Sequence, residues 1–98
     1  MNKELEKIQN HLKNLRNEIG QKYKAEIIGI FGSYVRGEQK QESDIDILVR
    51  FFDGATLFDL NGLANFLERE LDLKVDIVSE RALREELREE IMKEVVQV

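Results

Sequence analysis

The segment that most limits how this chain can fold is residues 29–52, GIFGSYVRGEQKQESDIDILVRFF, in which ten residues separate the Gly32-Ser33 pair from an Asp44-x-Asp46 pair. Residues 26–31 (EIIGIF) are short, apolar and rich in β-branched side chains, which reads as a buried strand stopping at Gly32. Residues 44–52 read as a second strand. The ten residues between Ser33 and Asp44 are too few for a full parallel crossover with its helix. The two strands are expected to be antiparallel neighbours with Ser33 and Asp44 at the same edge.

The flanking sequence reads as scaffold. Leu5, Ile8, Leu12, Leu15 and Ile19 alternate spacings of three and four, which lays one apolar stripe along a helix over residues 3–22. His11 falls on the polar flank of that helix, and with no second His and no Cys a metal role for it is not expected. Asp53-Gly54 is a turn signal, after which Leu57, Leu60, Leu63, Ala64, Leu67 and Leu71 recur at helical spacing, with Gly62 as a blemish. Residues 73–78 (LKVDIV) have strand composition, and Ser79 reads as the N-cap of a final helix holding Leu83, Leu87, Ile91 and Val95.

The element order is therefore αββαβα. A strand, a crossover helix and a further strand favour parallel pairing of the second and third strands. The expected fold is α/β (α+β): a small mixed sheet of about three strands covered by helices. Val95, Val96 and Val98 near the end either finish the core or are left for a partner.

Ninety-eight residues suit a single domain over residues 1–98, with little room for a second functional module. Without cysteine, neither disulfides nor thiolate metal sites nor Cys nucleophiles are available. No apolar run approaches a membrane span and the first residues are charged and helical, so a soluble, cytoplasmic protein is expected. The formal net charge of -5 argues against direct nucleic-acid binding, which draws on clustered Lys and Arg. Pairs such as Glu4/Lys7 and Glu90/Lys93 read as solvated helix face.

Asp44 and Asp46 are two apart on a strand, so their side chains leave one face while Ile45 and Ile47 point the other way. Asp76, between Val75 and Ile77 in a strand fit for burial, is a carboxylate that demands a partner. A divalent cation would resolve the clustering of three acids, and all-oxygen ligation selects a hard ion, Mg2+ or Mn2+. Gly32 lets the backbone approach a ligand and Ser33 offers a hydroxyl. If Tyr34 to Gly37 form a short helical turn, their free N–H groups favour an anion that Arg36 could also reach. Together these describe a site for a Mg-nucleotide in which two ions could clamp an in-line displacement at phosphorus. Two simpler motifs fail. Gly32 and Gly37 have P-loop spacing, but Glu38 stands where the lysine belongs. Asp44-Ile45-Asp46 is followed by apolar residues and lacks the glycine of a calcium loop. An isolated Asp-x-Asp is ordinarily structural; the combination is what carries information.

That combination, Gly32-Ser33, ten residues, Asp44-x-Asp46 and Asp76 on a later strand, resembles the nucleotidyltransferase superfamily that includes DNA polymerase β and the aminoglycoside nucleotidyltransferases. The chain length and the segments GSYVRGE and SDIDILV are similar to the minimal nucleotidyltransferase (MNT) family, with Val35 where many members carry Ala. The resemblance implies a nucleotidyltransferase fold in which Asp44 and Asp46 bind Mg2+ with the triphosphate, Asp76 completes the site, and Gly32 and Ser33 hold the phosphates. It further implies ATP as substrate and a HEPN-domain RNase toxin as partner, the chain acting as antitoxin by moving AMP onto a tyrosine of that toxin. Two other readings stay open: a non-catalytic binding module with a vestigial nucleotide site, and a small-molecule nucleotidyltransferase that works as a homo-oligomer.

Overall fold

The structure is a computed structural model that describes residues 3–98. The elements follow as α1 (Lys3–Asn14), α2 (Arg16–Tyr23), β1 (Ala25–Phe31), α3 (Ser33–Arg36), β2 (Ile45–Phe51), α4 (Leu57–Leu71), β3 (Val75–Ser79), a 3-10 turn (Glu80–Ala82), α5 (Glu85–Glu94) and β4 (Val96–Gln97). The four strands form one mixed sheet in the order β3-β2-β1-β4. β1 runs antiparallel to β2 and to β4, and β2 runs parallel to β3. The expected pairings are present, and one short strand beyond the expected three joins the edge.

Alternation along β2 decides which face is which. Ile45, Ile47 and Val49 are buried and share one core with Leu5, Ile8 and Leu12 of α1, Ile19 of α2, and Leu63, Phe66 and Leu67 of α4. The helices α1, α2 and α4 therefore cover that face, and period-two geometry sends Asp46 to the opposite one. In β1 the register shifts between Ile27 and Gly29. This bulge lets Ile27 and Ile30, three residues apart, both reach the helical core. Among the described residues no helix is long and apolar enough to cross a membrane.

Five local expectations are corrected. The N-terminal stripe is carried by two helices, because at Leu15 the amide is shared between the His11 and Leu12 carbonyls, both at 3.2 Å. That tighter step re-aims the last turns. In α4 the apolar stripe begins a turn later than its spacing suggests, since Leu57 and Phe58 are 77% and 87% exposed. The helix instead starts on a capping box, Thr56 receiving the Phe58 N–H at 3.2 Å and Asp59 receiving the Thr56 N–H at 2.8 Å. Gly62 is no blemish: a Cβ there would stand 2.9 Å from the ring of Tyr23, which packs on Phe66.

Ser79 does not cap the last helix. Glu80 accepts from Arg50 and Arg88, each at 2.9 Å, and this pins a 3-10 turn against β2 so that α5 starts only at Glu85. Val95 has left the helix, which ends at Glu94, and β-branched Val95 and Val96 continue in extended backbone. Val96 and Gln97 pair with Ile30 and Gly29, and Val96 and Val98 pack on the core. Val96 and Val98 thus join this chain's own core.

The tail lies so close to β1 that a Cβ at Gly29 would be 2.5 Å from both Val95 Cγ1 and the Val96 carbonyl oxygen. Gly29→Ala is therefore expected to displace β4 and to destabilise the fold by about 1–3 kcal/mol, the usual range for overpacking. A thermal melt checks it, and an unchanged Tm would show that the tail contributes little.

Candidate active site

β1 ends at Phe31, and Gly32 turns the chain with φ 82° and ψ −154°, a conformation that only glycine adopts without strain. The same residue has a second reason to be glycine, since any Cβ on it would run into the carboxylate of Asp46. Phe31 is the register partner of Asp46, so the Gly32-Ser33 corner and the Asp-x-Asp strand meet at one edge, as their spacing requires.

The helical turn α3 forms, but the amides of Val35, Arg36 and Gly37 are not free as expected. The N–H groups of Val35 and Arg36 bond to the Gly32 carbonyl at 3.0 and 3.2 Å, and those of Gly37 and Glu38 go to Ser33 O. What α3 presents at its start is Ser33 itself and the glycine backbone beside Asp46. Arg36, at its end, donates through Nε to Glu38 at 2.5 Å and through Nη1 to Glu94 at 2.9 Å.

The second half of the site comes from the parallel pair. The amide of Ile45 reaches the Lys74 carbonyl at 2.9 Å and starts a ladder in which Asp46 stands opposite Asp76. Residues in register on neighbouring parallel strands share a face, so the charge of Asp76 acts on Asp46. Asp44 sits one residue ahead of β2, after a tight turn in which Ser43 Oγ accepts the Lys40 N–H at 2.8 Å.

Burial is the largest influence on Asp46, followed by the Asp76 carboxylate and then Asp44, and together they push its carboxyl up to about 6 from 3.8, with Arg36 opposing them. The costly carboxylate is thus Asp46. The expectation that Asp76 is the buried acid is corrected: Asp76 and Asp44 are exposed, because the outer face of edge strand β3 is open.

The structure brings together Gly32, Ser33, Asp46 and Asp76, with Asp44 close enough for its charge to act on Asp46 and Arg36 close enough to oppose it. Among the described residues no three His, Cys, Asp or Glu side chains stand gathered as a ready cluster around one point. The chemistry of the donors nevertheless fits a hard divalent cation. Asp46 and Asp76 stand in register on one face and repel each other, and a cation would relieve that repulsion.

One participant was not read from the sequence. Glu94, the last residue of α5, places Oε1 2.5 Å from the Gly32 amide, 62 residues away. No local pattern signals a contact of that separation.

Comparison with known proteins agrees with this geometry. The nucleotidyltransferase domain family matches residues 12–98. The chain is 39% identical over 94 residues to the protein adenylyltransferase MntA of Thermococcus cleftensis, covering 96% of this chain and 95% of that one. A solved structure described as a minimal nucleotidyltransferase superposes with a TM-score of 0.80 at 37% identity, covering 96% of this chain and 95% of the other. A chain from the complex of tri-AMPylated Shewanella oneidensis HEPN toxin with MNT antitoxin superposes with a TM-score of 0.67 at 27% identity, covering 95% of this chain and 70% of that one.

Proposed function

The chain belongs to the nucleotidyltransferase domain family, and on that premise we propose that it is a Mg2+-dependent adenylyltransferase that moves AMP from ATP onto a tyrosine hydroxyl of a HEPN toxin, serving as its antitoxin. The observation that carries this reading is the in-register Asp46 and Asp76 pair set against the Gly32-Ser33 corner. The adenylyltransferase name of the Thermococcus relative and the AMPylated toxin in the Shewanella complex support the choice of AMP and of a protein acceptor.

Asp44, Asp46 and Asp76 would hold the cation, Mg2+ or Mn2+, which when bound supplies charge neutralisation at the triphosphate. The missing side chain of Gly32 lets the phosphates come close to the turn, the Ser33 hydroxyl donates to them, and the Arg36 guanidinium steadies their negative charge. The acceptor oxygen forms its bond to the α-phosphorus as the bond from that phosphorus to the bridging oxygen breaks, and pyrophosphate leaves. Asp76, on the open face of β3, is placed on the side from which a macromolecular acceptor can approach, and its carboxylate takes the hydroxyl proton.

Incubation of the chain with Mg2+, radiolabelled ATP and a co-expressed HEPN partner is expected to leave label on the toxin, on a fragment containing tyrosine. If the wild type transfers no label while an Asp44/Asp46/Asp76 triple variant still neutralises the toxin fully, complex formation without catalysis is the mechanism instead.

A further inference from the structure

We propose that Glu94 is a positioning residue for the nucleotide turn, its carboxylate holding the Gly32 backbone and the Arg36 side chain in the arrangement that receives the triphosphate. The inference rests on the functional reading above and concerns a residue outside the motif that led to it.

The geometry begins with a backbone requirement. β4 pairs with β1 at Gly29 and Ile30. Gly32 lies two residues beyond the last of these pairs, where the two-residue strand has no backbone acceptor left to offer. An amide left without a partner in a partly buried place is costly. Glu94 Oε1 fills that need at 2.5 Å, and the same oxygen accepts from Arg36 Nη1 at 2.9 Å. One atom therefore fixes both the glycine whose Cα abuts Asp46 and the cation whose charge acts on Asp46.

Glu94 is itself held from both sides. The Val95 amide closes the last turn of α5 on the Ile91 carbonyl at 2.9 Å, and Val96 is paired in the sheet next door. Val95 and Val96 in turn lie directly over Gly29. Its side chain is 27% exposed, against 49% for Arg36 and 61% for Glu38, so of the two carboxylates on Arg36 it is the sheltered one. Glu38 belongs to the loop that follows α3 and can follow that loop, whereas Glu94 is anchored to the sheet.

Charge alone would make a carboxylate beside a polyphosphate unfavourable. Here that charge is already paired with the half-exposed Arg36. The ordering of the turn and of the guanidinium is then the larger effect, since a site held in its binding arrangement avoids that ordering cost when ligand arrives. With Nε and Nη1 engaged by Glu38 and Glu94, Nη2 carries the donors through which Arg36 meets phosphate.

The test compares the full-length wild type with Glu94→Ala and Glu94→Gln, measuring AMP transfer as a function of Mg-ATP and, separately, the binding of Mg2+ with AMP-PNP by calorimetry. Glu94→Ala is expected to raise the KM for ATP about 10-fold, with kcat within about 2-fold, the signature of lost ground-state and transition-state binding alike. Glu94→Gln keeps an oxygen for the Gly32 amide but drops the charge that holds Arg36, so its KM should fall between, about 3-fold above the wild type. The glutamine is isosteric and keeps the tail in place if alanine loosens it. KM values unchanged in both variants, or tighter AMP-PNP binding once the carboxylate is gone, would overturn the proposal. A wild type that neither transfers AMP nor binds AMP-PNP defeats the functional reading itself, which the other outcomes leave standing.

Discussion

Replacing Asp46 or Asp44 with asparagine should reduce AMP transfer by about 10³-fold or more, equivalent to about 4 kcal/mol of transition-state stabilisation. The substitution is nearly isosteric, so it removes negative charge while leaving the strand, its ladder and the packing of Ile45 and Ile47 in place. Any charge that develops on the phosphates must be balanced within this corner. Arg36 is already shared between Glu38 and Glu94, so it cannot make up for the positive charge of a cation lost with its carboxylate ligand. The measurement is single-turnover transfer of label from ATP with the partner in excess, and activity above about a tenth of wild type in either variant would remove these residues from the site.

The same Asp46→Asn change should make the metal-free protein more stable. The Asp46 carboxyl is raised to about 6, chiefly by burial and then by Asp76 and Asp44, so between its unfolded value of 3.8 and about 6 the folded state binds the extra proton. Its favourable contribution is complete below the unfolded value and is lost as pH rises through about 6. Above that window the folded protein keeps an ionised carboxylate beside two others. The shift corresponds to about 3 kcal/mol at full strength, and because Asp46 is only half-buried, solvent screening reduces this to about 1 kcal/mol. For a chain of this size that is a Tm gain of about 4 °C.

The gain should appear at pH 7.5 in the presence of a chelator and vanish near pH 4, where the wild-type carboxyl is protonated in the folded state. Comparing the two proteins isolates Asp46 from groups of opposite sign. Glu80, whose hydrogen bond from Arg50 holds its carboxyl below the ordinary range, contributes stability that is lost as pH falls. Added Mg2+ should then reverse the ranking, raising the Tm of wild type and leaving Asp46→Asn unmoved. A variant no more stable than wild type at pH 7.5 without metal would mean that the acids do not strain the apo fold.

Strands β1, β2 and β3, their antiparallel and parallel pairings, and the edge shared by Ser33 and Asp44 were legible in the sequence. Each follows from patterns within a few residues. The period of two in DIDILV separates the acids from Ile45 and Ile47, and a ten-residue gap rules out a crossover. The helix stripes were legible as well, though not the break at Leu15 or the capping box at Thr56. Both are hydrogen-bond features of a few backbone and side-chain groups, which apolar periodicity does not record.

What local pattern could not convey is concentrated in the last five residues and their neighbours. A two-residue strand has no period to detect, so Val96 and Gln97 were invisible as β4, and Val95 fitted a helical stripe that the backbone abandons at Glu94. Composition and spacing alone determined that three carboxylates and a Gly-Ser corner share one sheet, because alternation and loop length are properties of the chain itself. Only the tertiary structure decided that Asp46 rather than Asp76 is the strained acid, and that Glu94 closes the corner from 62 residues away. Burial and long-range hydrogen bonds depend on which surfaces meet after folding, and no run of neighbouring residues encodes that meeting.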